Sequence, residues 1–119
     1  MDLSEVLTQP ALVNTQNFIN GQWQPAVSGQ CYPVLNPADG KRFIDVADSD
    51  AVDATLAADC AAAAFINWQH STHRQRAELL EAWHSLILSH ADDLALIITT
   101  EQGKPLTEAK AEVAYGASY

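Results

Sequence analysis

Thiols, paired imidazoles, paired carboxylates and the open carbonyls of one helix end are the groups in this chain that could do chemistry. A thiolate attacks carbonyl carbons or binds metals, depending on what surrounds it. Cys60 falls on the apolar side of an alanine-rich segment, which suits a small core residue. Cys31 follows Gly29-Gln30 between two extended pairs. Nothing in the chain looks secreted, so both thiols are expected reduced rather than joined. His70 and His73 have an H-x-x-H spacing that zinc could use, but they straddle a loop and a helix start with no Cys or third His nearby. Solvated histidines are the expectation there. His84 and His90 stand six residues apart on different faces of one helix. Glu108 and Glu112, four apart, could share a proton or a metal; with Lys104 and Lys110 beside them they read as a hydrated helix face. The five glycines are scattered through turns, joints and the last helix, so no glycine-rich phosphate loop follows a strand.

The elements that must position these groups change period part-way along. Residues 1–16 are weakly patterned and broken by Pro10, which predicts a loosely ordered leader with one turn at Ser4-Glu5-Val6-Leu7. Phe18-Ile19-Asn20-Gly21-Gln22-Trp23 reads as a hairpin whose Asn-Gly supplies the positive φ angles of a tight turn. A second hairpin joins Tyr32–Leu35 to Arg42–Val46 through Asn36-Pro37-Ala38-Asp39-Gly40, with Pro33 marking an edge strand.

From Ser49 the period becomes helical. Ser49 or Asp50 caps a helix to about Trp68 with Val52, Leu56, Cys60 and Ala63 on one face. Ser71 or Thr72 caps a second, to Ser89 or His90, with Leu79, Leu80, Trp83, Leu86 and Ile87 as its expected buried stripe. A third runs from Ala91 to a left-handed Gly103 cap, and a fourth begins near Pro105 or Leu106 with Leu106, Ala109 and Val113 inward. Trp23, Trp68 and Trp83 are expected as core anchors, and Lys104 is expected to reach the carbonyls that end the third helix. The fourth helix shows no Gly cap, terminal cation or Pro, as a helix cut in mid-pattern would look.

Composition excludes several roles. With 48% hydrophobic residues the chain is a folding sequence, long enough for one modest core. Its 6 basic against 15 acidic residues, with no basic cluster, make nucleic acid and anionic membrane poor partners. The most apolar run, Ala61–Ile66, is far short of the roughly 20 residues that span a bilayer. Asp2 and Glu5 stand where a secretory signal would be basic, which points to the cytoplasm.

Phe18–Trp23, Asn36–Gly40, Trp68, Arg76-Ala77-Glu78-Leu79-Leu80, Asp92-Asp93-Leu94-Ala95 and the run from Glu101-Gln102-Gly103-Lys104-Pro105 to Glu112 occur in one order at consistent spacing. In this the chain resembles the start of the aldehyde dehydrogenases, and most their succinate-semialdehyde branch, over roughly residues 17–119. The resemblance implies an α/β fold in which residues 17–119 are an incomplete N-terminal part of a coenzyme-binding domain. This segment alone would be two short β-hairpins followed by about four α-helices, packed around a sheet built by later residues. It implies NAD or NADP as cofactor, a small aldehyde (succinate semialdehyde) as substrate, a homo-oligomeric full enzyme, and the remainder of the chain as this segment's partner. The family's nucleotide loop, glutamate base and nucleophilic cysteine lie downstream, so the segment is expected to be inactive alone. Gly29-Gln30-Cys31 echoes the family's Gly-Gln-x-Cys motif but lacks its spacer and its preceding Phe and Asn, so Cys31 is not read as the nucleophile. Some members hold a monovalent cation through main-chain carbonyls at positions matching Leu35 and Glu101; the alternative there is capping by water. Two rivals remain: a freestanding helical interaction module descended from this segment, and a truncated product with no stable fold.

Overall fold

The computed structural model describes residues 3–119, and its elements follow local chemistry closely. Strands β1 (Asn17–Ile19) and β2 (Gln22–Gln24) pair antiparallel around Asn20 and Gly21, whose φ angles of 51° and 75° are those the tight turn requires. Strands β3 (Cys31–Leu35) and β4 (Arg42–Ala47) form a second antiparallel pair, with a bulge between Val34 and Leu35. Among the described residues each sheet has these two strands, and two-stranded sheets need other elements to hold them.

Helix α1 (Ala51–Trp68) starts from Asp50, whose side chain accepts the Val52 N–H at 2.7 Å, while Asp53 accepts the Asp50 N–H at 3.0 Å. Helix α2 (His73–Ser89) starts from a reciprocal Thr72–Gln75 capping box. Arg76 closes the corner between them. Its guanidinium lies 5.5 Å from the Trp68 ring centre and donates to the Trp68 and Gln69 carbonyls at 3.2 Å. Helix α3 (Ala91–Gln102) ends at Gly103, in the left-handed region at φ 79°, and α4 (Leu106–Ala117) follows. No helix among the described residues is long and apolar enough to cross a membrane.

The core is small and lies where α3 meets α4: Ala95, Ala109 and Val113, with Ile87, Ala91, Leu94 and Ile98 packed against it. Two alanines at the seam let the backbones approach closely. Ala109 and Val113 are therefore buried as the helical spacing predicts, but several other expectations need correction. Leu79, Leu80, Trp83 and Leu86 are exposed, Trp83 at 63%, as are Val52, Leu56 and Ala63 on α1. Trp23, Trp68 and Leu106 are also exposed rather than anchored in a core. Periodicity placed these residues on shared faces; among the described residues nothing covers them.

The dimensions agree with that. The radius of gyration is 16.7 Å, against about 13.5 Å for a compact domain of this length. The accessible surface of 8449 Å² exceeds the roughly 6,300 Å² of a folded monomer of this mass by about 2,000 Å².

Residues Leu3–Glu5 and Pro10–Leu12 are short 3-10 turns, and Leu3 and Leu7 are buried. The Thr8 and Gln9 N–H groups donate to the two carboxylate oxygens of Asp93, at 3.0 and 2.8 Å. Lys104 does not cap α3 but pairs with Glu112, and Lys110 pairs with Asp92 at 2.7 Å.

Candidate functional site

Two places in the chain are shaped for contact with something else. The first is the joint that ends α3. An α-helical carbonyl normally accepts from the N–H four residues on; for Glu101 that residue is Pro105, which has none. The Glu101 carbonyl is thus left without a helical partner. Facing the joint is the Asn36–Gly40 turn, closed by the Gly40 N–H to Asn36 O at 2.8 Å and by the Ala38 N–H to Asn36 Oδ1 at 2.9 Å. Pro37 packs on Gly103 so tightly that a Cβ there would lie 2.8 Å from Pro37 Cγ. Leu35 precedes Pro37 by two residues and Glu101 precedes Gly103 by two. One contact therefore brings together the two segments that carry them.

The second is an open groove of about 810 Å³ between α2, α3 and α4. Leu80, Trp83 and Ile87 form one wall, Leu94 and Ile98 the floor, and the end of α4 with Tyr119 the other wall. His84 is fixed across it: its Nδ1 lies 2.7 Å from the Ala117 carbonyl oxygen. A carbonyl only accepts, so Nδ1 carries the proton. Glu81 and His84 are the groove's ionisable lining apart from the Tyr119 phenol.

Two buried carboxylates fasten the N-terminal segments onto this frame. Asp53 accepts the Asp50 and Val27 N–H groups, and Asp93 those of Thr8 and Gln9. Each sits in the first turn of its helix, where the dipole favours a negative charge. The Asp50 and then the Val27 hydrogen bond hold the Asp53 pKa below its ordinary 3.8, against the opposing effect of burial. The Thr8 hydrogen bond leads the same downward shift at Asp93, helped by Gln9 and His90 and again opposed by burial. The Asp50 partner of Asp53 is local, whereas Val27 and both partners of Asp93 are far away in the chain.

The other candidates stay apart. Cys31 is exposed on β3 and Cys60 is partly covered on α1. His70 and His73 join no cluster that could hold a metal among the described residues. The groove lining includes no Lys or Arg, and Gly21, Gly29, Gly40 and Gly103 serve turns and a helix end.

Residues 23–119 match the sequence pattern of the aldehyde dehydrogenase family. The chain belongs to that family. It is 42% identical over 113 residues to a 3-sulfolactaldehyde dehydrogenase of Pseudomonas putida, covering 95% of this chain and 23% of that protein. It is 41% identical over 113 residues to an NADP(+) succinate-semialdehyde dehydrogenase of Escherichia coli, with the same two coverages. The crystal structure of a succinate-semialdehyde dehydrogenase from Burkholderia pseudomallei superposes with a TM-score of 0.91 at 43% identity, over 94% of this chain and 23% of that one. The hairpins and helices described above are thus the N-terminal part of the aldehyde dehydrogenase fold, and the chain spans about a quarter of the length of the relatives it matches.

Proposed function

We propose that this segment is the N-terminal part of an NAD(P)-dependent aldehyde dehydrogenase that oxidises a small acidic aldehyde, succinate semialdehyde, to the carboxylic acid. The observation that carries the reading is the match over 95–97% of this chain, at about 40% identity, to dehydrogenases of semialdehydes and of a sulfonated aldehyde, with the backbone superposing at a TM-score of 0.91. On this reading the cofactor supplies the hydride acceptor and is held by residues outside this chain. The nucleophilic cysteine and the glutamate base also lie outside it, and residues 17–119 contribute part of the coenzyme domain rather than reacting groups. The segment alone is inactive, and its partner is the remainder of the same polypeptide in a cytoplasmic homo-oligomer. Leu35 and Glu101 would offer main-chain carbonyls to a monovalent cation at the joint; the freed Glu101 carbonyl and the Pro37–Gly103 contact support that assignment.

The test is made on the native product, captured from its source cells by an antibody to this segment. A mass several times 12.9 kDa, together with reduction of NAD or NADP that depends on succinate semialdehyde, is the expected result. A 12.9 kDa product without that activity refutes the reading. Faster turnover of 3-sulfolactaldehyde or glutarate semialdehyde would keep the reaction and replace the substrate.

A further inference from the structure

We propose that Asn20 is a site of spontaneous covalent change, an asparagine that closes on the Gly21 nitrogen and reopens as isoaspartate. The reaction needs only water as co-reactant and does not depend on the dehydrogenase reading. The Gly21 amide nitrogen gives its proton to solvent and attacks Asn20 Cγ. A C–N bond forms, the Cγ–Nδ2 bond breaks, and the amide nitrogen leaves as ammonia. Water then opens the five-membered imide at either carbonyl, so aspartate and isoaspartate both form and nothing is oxidised or reduced.

Position and surroundings single out Asn20 among the chain's five asparagines. Asn20 and Gly21 are both exposed at the tip of the β1–β2 hairpin. Gly21 has no Cβ to crowd its nitrogen, and nothing lies within 4 Å of where one would stand. The other four lack these conditions. Asn36 precedes Pro37, which has no N–H to give up, and its Oδ1 accepts the Ala38 N–H at 2.9 Å. Asn17 precedes Phe18 and donates through Nδ2 to Ser49 Oγ at 2.7 Å. Asn67 precedes Trp68 in the last turn of α1, and Asn14 precedes the β-branched Thr15.

A closed two-residue turn fixes the dihedrals of both central residues, so the ring forms while the hairpin is open. Opening costs little. Each strand has three residues, the facing Phe18 and Trp23 are 61% and 51% exposed, and a two-stranded hairpin is marginal on its own. Isoaspartate routes the main chain through the former side chain and adds one backbone carbon to the loop. The Ile19–Gln22 pairing can then no longer close around a two-residue turn, and the buried Ile19 loses its register.

The test holds the full native product in warm neutral buffer beside a free peptide of residues 18–23. Peptide mass spectrometry localises any gain of one mass unit, and enzymatic methylation of isoaspartate reads the product. Asn20 should gain it before any other asparagine, at a rate within about tenfold of the free peptide's, as a marginal hairpin allows. Asn20→Gly keeps a residue suited to φ 51° and should remove both the gain and the isoaspartate from the hairpin. A slower rate than that, an earlier gain at another asparagine, or aspartate formed without isoaspartate overturns the assignment. So does a gain that continues undiminished in Asn20→Gly.

Discussion

Replacing Gly103 by alanine tests the joint between α3 and α4 most directly. Two penalties combine there. The residue sits at φ 79°, and an L side chain in the left-handed region costs about 1–2 kcal/mol. The added Cβ would also lie 2.8 Å from Pro37 Cγ, a carbon in a stiff ring that cannot swing aside. Overpacking of that kind costs about 1–3 kcal/mol. Gly103→Ala should therefore lose about 2–5 kcal/mol in total. Gly40→Ala separates the two parts, because Gly40 has φ 68° and nothing within 4 Å of its would-be Cβ. It should lose only the backbone portion. Pro37→Ala removes Cγ and leaves Cβ at an ordinary 3.5 Å, so in that background Gly103→Ala should fall to the Gly40→Ala cost. Urea unfolding followed by tryptophan fluorescence reads all four variants. At a slope of about 1–3 kcal/mol/M, a loss of about 3 kcal/mol moves the midpoint by about 1–3 M. The reasoning is refuted if Gly103→Ala matches Gly40→Ala within about 0.5 kcal/mol, or if Pro37→Ala gives no relief.

Three further outcomes follow from the carboxylates and one ion pair. In Asp93→Asn one amide NH₂ must face either the Thr8 or the Gln9 N–H, since both carboxylate oxygens are in use. Amide hydrogen exchange at Thr8 and Gln9 should then speed up by about tenfold or more, with α4 unaffected. The Asp53 and Asp93 pKa values are lowered on folding, so their stabilisation is complete above the ordinary 3.8 and disappears as pH falls through the depressed folded values. Acid titration followed by exchange at Thr8, Gln9 and Val27 should show release below that pH, and Asp93→Asn should abolish the pH dependence at Thr8 and Gln9 alone. Lys110→Met should change unfolding by less than about 1 kcal/mol, because its bond to Asp92 joins two solvated side chains, 47% and 85% exposed; a larger loss in the urea melt would contradict this.

Helix boundaries were legible because their causes are local. Asp50, Thr72 and Gly103 act within a turn of where they stand, and the structure ends and starts helices at each of them. The Asn20-Gly21 hairpin was legible for the same reason. What the residues could not disclose was long-range. The Leu79–Ile87 stripe announces a face that wants cover, but period alone does not say whether the cover belongs to the same 119 residues. Asp93 looks like any acid in a helix's first turn, and its partners lie 84 and 85 residues away. At the joint, Pro105 discloses a freed carbonyl from sequence alone, whereas the Pro37 contact that brings the facing turn to it needed the fold.

The alanine seam sets an asymmetry in how this region can change over generations. Ala95 and Ala109 are fully buried where α3 crosses α4, and neither side chain has more than one carbon to give up. Shrinking either to glycine leaves almost no void and forfeits about 1 kcal/mol of helix propensity. Enlarging either to valine or leucine pushes the two backbones apart, and with them everything α3 and α4 support. Variation is thus free to run along the rim, at Ile87, Leu94 and Ile98, while the two seam positions are closed to growth. Any future redesign of the segment has to begin from that fixed spacing between α3 and α4.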